Sequence, residues 1–202
     1  MVPTVAIITV LAVVMFVGLY VLVATGRVTP RLGVGRTIRP LGPFIVLINA
    51  PREWVFEAIR APYSERPPGA FREKVRVIDR HANTVLAAHR TPAHAGLVAV
   101  TVETVTFEPP DRVAFELVRG PVPYVVEEFL LHEAGDATEL EYRGDLGADL
   151  WSVGRWWGGI VAPRWEAAVH ASLDGLARAA GERAEAHDRR GGHLGTDPPR
   201  SE

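Results

Sequence analysis

The chain has 202 residues, 48% hydrophobic and 23% charged, with a formal net charge of −2. That is a globular composition sized for one ordinary domain plus accessories, and the acidic balance argues against nucleic acid as a partner. There is no cysteine, which excludes disulfides and cysteine-ligated metal sites without deciding the compartment.

The first 26 residues carry no Asp, Glu, Lys or Arg. Within them Val5–Ala24 is a run of 20 residues in which only Thr9 and Tyr20 have a polar group. As a helix such a run spans about 30 Å, the hydrocarbon thickness of a bilayer, so residues 1–26 read as a transmembrane anchor. A cleaved signal peptide would need a basic start, a shorter core and a better exit than Leu22-Val23-Ala24-Thr25-Gly26. Arg27, Arg31, Arg36 and Arg39 follow the span and no basic residue precedes it, so the positive-inside rule places the soluble part in the cytoplasm.

Residues 27–43 form an Arg/Gly/Pro linker whose prolines and glycines forbid a continuous helix. Its arginines are expected at anionic headgroups. With a neutral start, four linker arginines and a tail that sums to zero, residues 44–187 hold about −6. Residues 188–202 lack apolar periodicity and read as a disordered tail.

Phe44–Asn49 is a short apolar run expected as a strand, and Pro51 opens a short helix over 51–60. Tyr63–Gly69 reads as loop. Six strands follow: Glu73–Arg80, Thr84–His89, Leu97–Phe107, Arg112–Arg119, Pro123–His132 and Thr138–Leu146, separated by Asn, Gly, Pro or Asp. Pro109-Pro110-Asp111 and Gly135-Asp136 mark tight connections. Just after Pro163 a helical stripe begins, with Trp165, Val169, Leu173, Leu176 and Ala180 on one face. Strand, helix, antiparallel meander and long helix make an α+β domain.

Three segments carry a resemblance. Asn49-Ala-Pro-Arg-Glu-Trp-Val-Phe-Glu-Ala-Ile59 resembles the opening of the START and polyketide cyclase-like (SRPBCC) superfamily. Thr101–Phe115 looks like its central hairpin, and Glu127–Leu131 with Gly135–Tyr142 like the next one. The resemblance covers residues 44–187 and rests on the order of the segments, none being diagnostic alone. It implies a helix-grip fold, a curved antiparallel sheet around a long C-terminal helix. Members bind lipids, polyketides, hormones or other hydrophobic molecules, and a minority are enzymes.

Alternation puts Val113, Phe115 and Leu117 on one face of their strand and Leu140 and Tyr142 on one face of theirs. In the 123–132 strand either register buries a glutamate. The register with Val125, Glu127, Phe129 and Leu131 inward matches the family pattern and keeps the aromatic inside. With Trp165 and Val169 from the helix, these residues are the expected lining of a ligand cavity. A carboxylate at Glu127 could orient a ligand or act as an acid or base; alternatively it sits at a rim or pairs with an arginine. The seven histidines show no zinc spacing, and no nucleotide-binding or nucleophile motif occurs, so neither metal nor cofactor is expected.

Trp151, Trp156 and Trp157 cluster just before the helical stripe. They would touch the membrane interface, with Trp156 and Trp157 as the principal contacts, or form a lid, or simply cap the core. Three functions stay open on these residues. They are a membrane-tethered module binding or transferring a lipid or isoprenoid, a polyketide cyclase/dehydratase-like enzyme using Glu127, and an interaction protein with a filled cavity.

Overall fold

The computed structural model describes residues 2–92 and 96–192. Helix α1 (Val2–Ala24) contains a stretch, Thr4–Ala24, long and apolar enough to cross a membrane, with none of it buried against the rest of the molecule. The helix is apolar on all sides and exposed except in its last turn, where Val21, Val23 and Ala24 are partly covered.

The rest is one curved sheet gripping one long helix. Strand β1 (Thr37–Ile48) is followed by α2 (Arg52–Arg60), and then by β2 (Val75–His81), β3 (Thr84–Pro92), β4 (Val98–Glu108), β5 (Arg112–Arg119), β6 (Tyr124–Ala134) and β7 (Ala137–Ala148). All pairings are antiparallel, in the order β1-β7-β6-β5-β4-β3-β2, so the last strand returns beside the first. Short connections force the meander: Asp111 N–H closes onto Glu108 O at the β4–β5 corner, and Gly135, at φ 69°, turns β6 into β7. That positive φ is what the turn asks of a glycine.

Helix α2 follows Pro51 and buries Val55, Phe56 and Ile59. Helix α3 (Trp151–Gly192) lies against the concave side of the sheet, burying Val161, Val169, Leu173 and Ala180. The core is continuous between them.

Strand ends shift by one to three residues from the sequence reading, and three boundaries differ in ways that matter to the architecture. Strand β1 starts at Thr37 rather than Phe44. It tolerates Pro40 and Pro43 because it is an edge strand whose register shifts between Leu41 and Phe44. Helix α3 starts at Trp151, not after Pro163. The proline removes only the N–H that would meet the Gly159 carbonyl, at an exposed position, and the helix continues through it. Residues 188–192, expected in the disordered tail, continue this helix; 193–202 lie outside the described residues.

The linker is also not free. The buried Asp149 carboxylate accepts from Leu32 N–H at 2.8 Å, Gly33 N–H at 2.7 Å and Arg36 Nε at 2.8 Å. Thr29 Oγ1 exchanges 2.9 Å bonds with the backbone of Gly120, and Arg31 reaches the carbonyls of Val118 and Pro123, each at 3.3 Å. Arg31 and Arg36, expected at headgroups, are therefore engaged by the domain. Asp149 needed a partner on leaving water, and the linker supplies it. Thr25 O, at the end of α1, accepts from Val100 N–H of β4 at 3.0 Å, so α1 runs into the sheet without slack.

Candidate functional site

Period-2 alternation aims Val113, Phe115 and Leu117 of β5 and Leu131, Leu140 and Tyr142 of β6 and β7 at the helix, and all six are buried. Phe129 and Trp165 are partly buried against them, and Val169 is buried on α3. Phe115 meets Phe129 edge-on with centroids 5.5 Å apart, and Phe44 stacks on Tyr142 at 5.6 Å. All ten residues expected at a cavity thus stand at the sheet–helix interface. Val113 and Leu140 have no accessible surface, however, so no water-sized space touches them.

Amid this apolar surface sits Glu127, 9% exposed. Its Oε2 accepts from the Tyr142 hydroxyl at 2.6 Å and from Trp165 Nε1 at 2.7 Å. Its Oε1 accepts from none of the described residues. Of the two environments considered for this carboxylate, neither rim nor arginine pair is what it has. Burial, reinforced by the negative charge of Glu103, pushes Glu127 up to about 7, against the opposing hydrogen bonds of Tyr142 and Trp165. With both donors on Oε2, the proton of the neutral acid belongs on Oε1, the oxygen free to meet a ligand.

A second polar chain lies close enough to be felt electrostatically. His89 Nδ1 is 2.8 Å from Glu103 Oε2, and its Nε2 is 3.0 Å from the hydroxyl of Tyr63. Burial disfavours charge on both partners, but each stabilises the other. The Glu103 carboxyl is held below the usual range and the His89 imidazole above it. Burial and the two carboxylates raise the Tyr63 hydroxyl well above its ordinary value. When His89 is protonated both ring nitrogens donate, so Tyr63 oxygen accepts and its own hydrogen is left to point elsewhere.

Sequence reasoning did not find Tyr63, His89 or Glu103. Two carried a signal: Glu103 alternates with Val105 and Phe107, and His89 with Val85 and Ala87, all four of those apolar residues buried. What was missing is the β3–β4 register, which sets His89 opposite Thr101 and so makes Glu103 its diagonal neighbour. Tyr63 is brought in by a short 3₁₀ turn over Ala61–Tyr63, which ends on the first residue of the segment read as loop.

The membrane-interface candidates separate. Trp156 is 63% exposed, whereas Trp157 is half-buried, donating Nε1–H to Pro121 O at 2.8 Å and meeting Tyr20 of α1 edge-on at 6.0 Å. Arg27 and Arg39 are exposed. Among the described residues no cluster of His, Asp and Glu suits a metal ion.

No family model matches the sequence, and no curated protein matches it. Solved structures do. The chain is similar to the ZhuI aromatase/cyclase from Streptomyces sp. R1128, with TM-score 0.57 and 16% identity over 73% of this chain and 96% of that one. It is similar to norcoclaurine synthase from Thalictrum flavum, with TM-score 0.57 and 12% identity over 76% and 94%. TTHA0849 from Thermus thermophilus superimposes with TM-score 0.51 and 14% identity over 74% and 99%. At such identities the likeness concerns backbone architecture, and with the strand order and gripping helix it gives the chain a helix-grip fold, the architecture that the sequence resemblance implies.

Proposed function

We propose that this protein is a membrane-tethered module that binds a hydrophobic small molecule, such as a lipid or isoprenoid, with the polar end of the ligand at Glu127 Oε1. The carrying observation is a buried carboxyl with one oxygen held by Tyr142 and Trp165 and the other unengaged, on the helix-facing side of an apolar sheet. Such a group fixes orientation, while the surrounding Phe115, Phe129 and Leu131 supply burial. Helix α1 would keep the domain where such ligands dissolve, with the soluble part on the cytoplasmic side and Trp156 and Arg27 at the interface.

The test is native mass spectrometry on the full chain in detergent after exposure to a membrane lipid extract. A stoichiometric adduct that is lost in Glu127→Gln or Leu131→Asp, while the variant retains its far-ultraviolet circular dichroism, supports the reading. A bare polypeptide mass across several lipid classes sinks it.

A second reading is favoured by a specific feature. A carboxyl pushed up to about 7 beside a Tyr63–His89–Glu103 chain has the makings of an acid–base pair, as a cyclase or dehydratase of polyketide-like substrates would need. Two of the similar structures are named aromatase/cyclase and norcoclaurine synthase. The full burial of Val105, Val113 and Leu140 favours a third, an interaction protein with a filled interior. An empty mass spectrum would direct the search there.

A further inference from the structure

A groove of about 520 Å³ runs along the outer edge of the grip, between the first half of β1 and the first turns of α3. It lies within the roughly 300–1,000 Å³ range of small-molecule sites. Leu146 and Ala148 of β7 form part of its wall. It stays open because α3 presents Gly158 and Gly159 there: a Cβ at Gly158 would only reach ordinary contact with Leu146, and one at Gly159 would meet nothing within 4 Å.

Two guanidiniums line this groove, Arg39 from the strand and Arg155 from the helix. Arg39 lies opposite Leu146 in the antiparallel register, so its side chain leaves the helix-facing side of the sheet. Neither arginine has an ion-pair or hydrogen-bond partner among the described residues, whereas Arg36, three residues before Arg39, is tied to Asp149. No carboxylate lines the groove. An apolar wall with two unneutralised cations and no anion is complementary to an amphiphile with an anionic head.

The position of the groove identifies the source. The first turns of α3 lie beside the last turns of α1, because Trp157 rests on Tyr20 and Trp151 N–H bonds to Gly35 O in the docked linker. Arg155, Gly158 and Gly159 belong to those same turns. We infer that the β1–α3 groove is a binding site for an anionic phospholipid of the bilayer, phosphate on Arg39 and Arg155 and chain along Leu146 and Ala148. It is separate from the Glu127 site and does not depend on what that site binds.

The experiment uses the full chain in a mild nonionic detergent, titrated with dioleoyl phosphatidylglycerol or dioleoyl phosphatidylcholine and read by native mass spectrometry. The expected result is a single phosphatidylglycerol adduct favoured over phosphatidylcholine by about tenfold or more. Arg39→Gln with Arg155→Gln should abolish the preference. Gly159→Leu, which keeps both charges and fills open space in the groove, should abolish the adduct. Retention of the adduct in Gly159→Leu would show general surface attraction and overturn the site. Equal binding of the two lipids would overturn the anionic assignment. Competition by millimolar inorganic phosphate would transfer the site to a free anion and overturn the lipid source. Circular dichroism melts verify that each variant is folded, and the single Arg155→Gln variant, on an exposed helix position, provides the reading if the double variant is not.

Discussion

At the scale of single residues, the charges of Glu127, His89 and Glu103 make stability depend on pH in opposed ways. Glu127 is raised to about 7 from its ordinary 4.5, so its neutral form is the native one. Its contribution is complete below 4.5 and is lost as pH rises through about 7. His89, raised from 6.5, likewise contributes fully below that value and loses it at higher pH. Glu103 is lowered, so its contribution is present above 4.5 and lost as pH falls. Unfolding followed by urea across pH should therefore give greatest stability between 4.5 and 6.5. Glu127→Gln should leave stability at about pH 5 nearly unchanged and raise it at about pH 8 by up to about 3 kcal/mol, by removing a buried charge. A loss at both pH values would mean that the carboxylate is held ionised by partners instead. Glu103→Gln should cost about 3 kcal/mol or more by stranding His89, and should move the carboxyl titration of Glu127, followed by infrared difference spectroscopy, downward.

Among the elements, the linker offers the sharpest prediction. Asp149 holds it through two amides and a guanidinium, so Asp149→Ala should cost about 3 kcal/mol and free the segment. Trypsin in limiting amount should spare Arg31 and Arg36 in the parent protein and cut there in the variant; equal cutting in both would contradict the docking. Gly35 stands at φ 59° with the Trp151 ring against its missing side chain, so Gly35→Ala should open the same segment through strain and collision together. What could be read from the sequence at this scale follows from range of interaction. Strands with strict alternation, such as Arg112–Arg119, and the stripe from Trp165 to Ala180 declare their faces locally. The docking of residues 27–36 could not be read, because Asp149 lies more than a hundred residues away and no periodicity links them. Pro163 misled for a related reason: a proline stops a helix unless its neighbours excuse the missing bond, and that depends on exposure at Gly159, a property of the folded chain. The strand alone left Glu127 and Glu128 as alternatives, and only the family pattern with the aromatic Phe129 pointed to Glu127 as the inward one. Its company of Glu103, His89 and Tyr63 needed three strands in register and a turn.

For the whole molecule, the proposed anchor makes a simple demand. The full chain should stay in the pellet after an alkaline carbonate wash of membranes, while a chain lacking residues 2–24 should leave it. Because the natural sequence has no cysteine, one introduced at the exposed Glu73 reports sidedness without background. Membrane-impermeant maleimide should label it only after the cytoplasmic face is opened; labelling of intact cells would reverse the orientation.

The absence of slack between α1 and β4 sets how far the module can travel. A free linker of 17 residues would let a domain roam about 20–25 Å from its anchor point. A segment pinned by Thr25, Thr29 and Asp149 gives it no such radius. Anchored as proposed, such a protein would be poorly built to ferry cargo across the aqueous gap to another compartment. In the proposed setting it would meet neighbours that drift past in the same sheet of lipid, always presenting them the same side, as a docking post does rather than a boat.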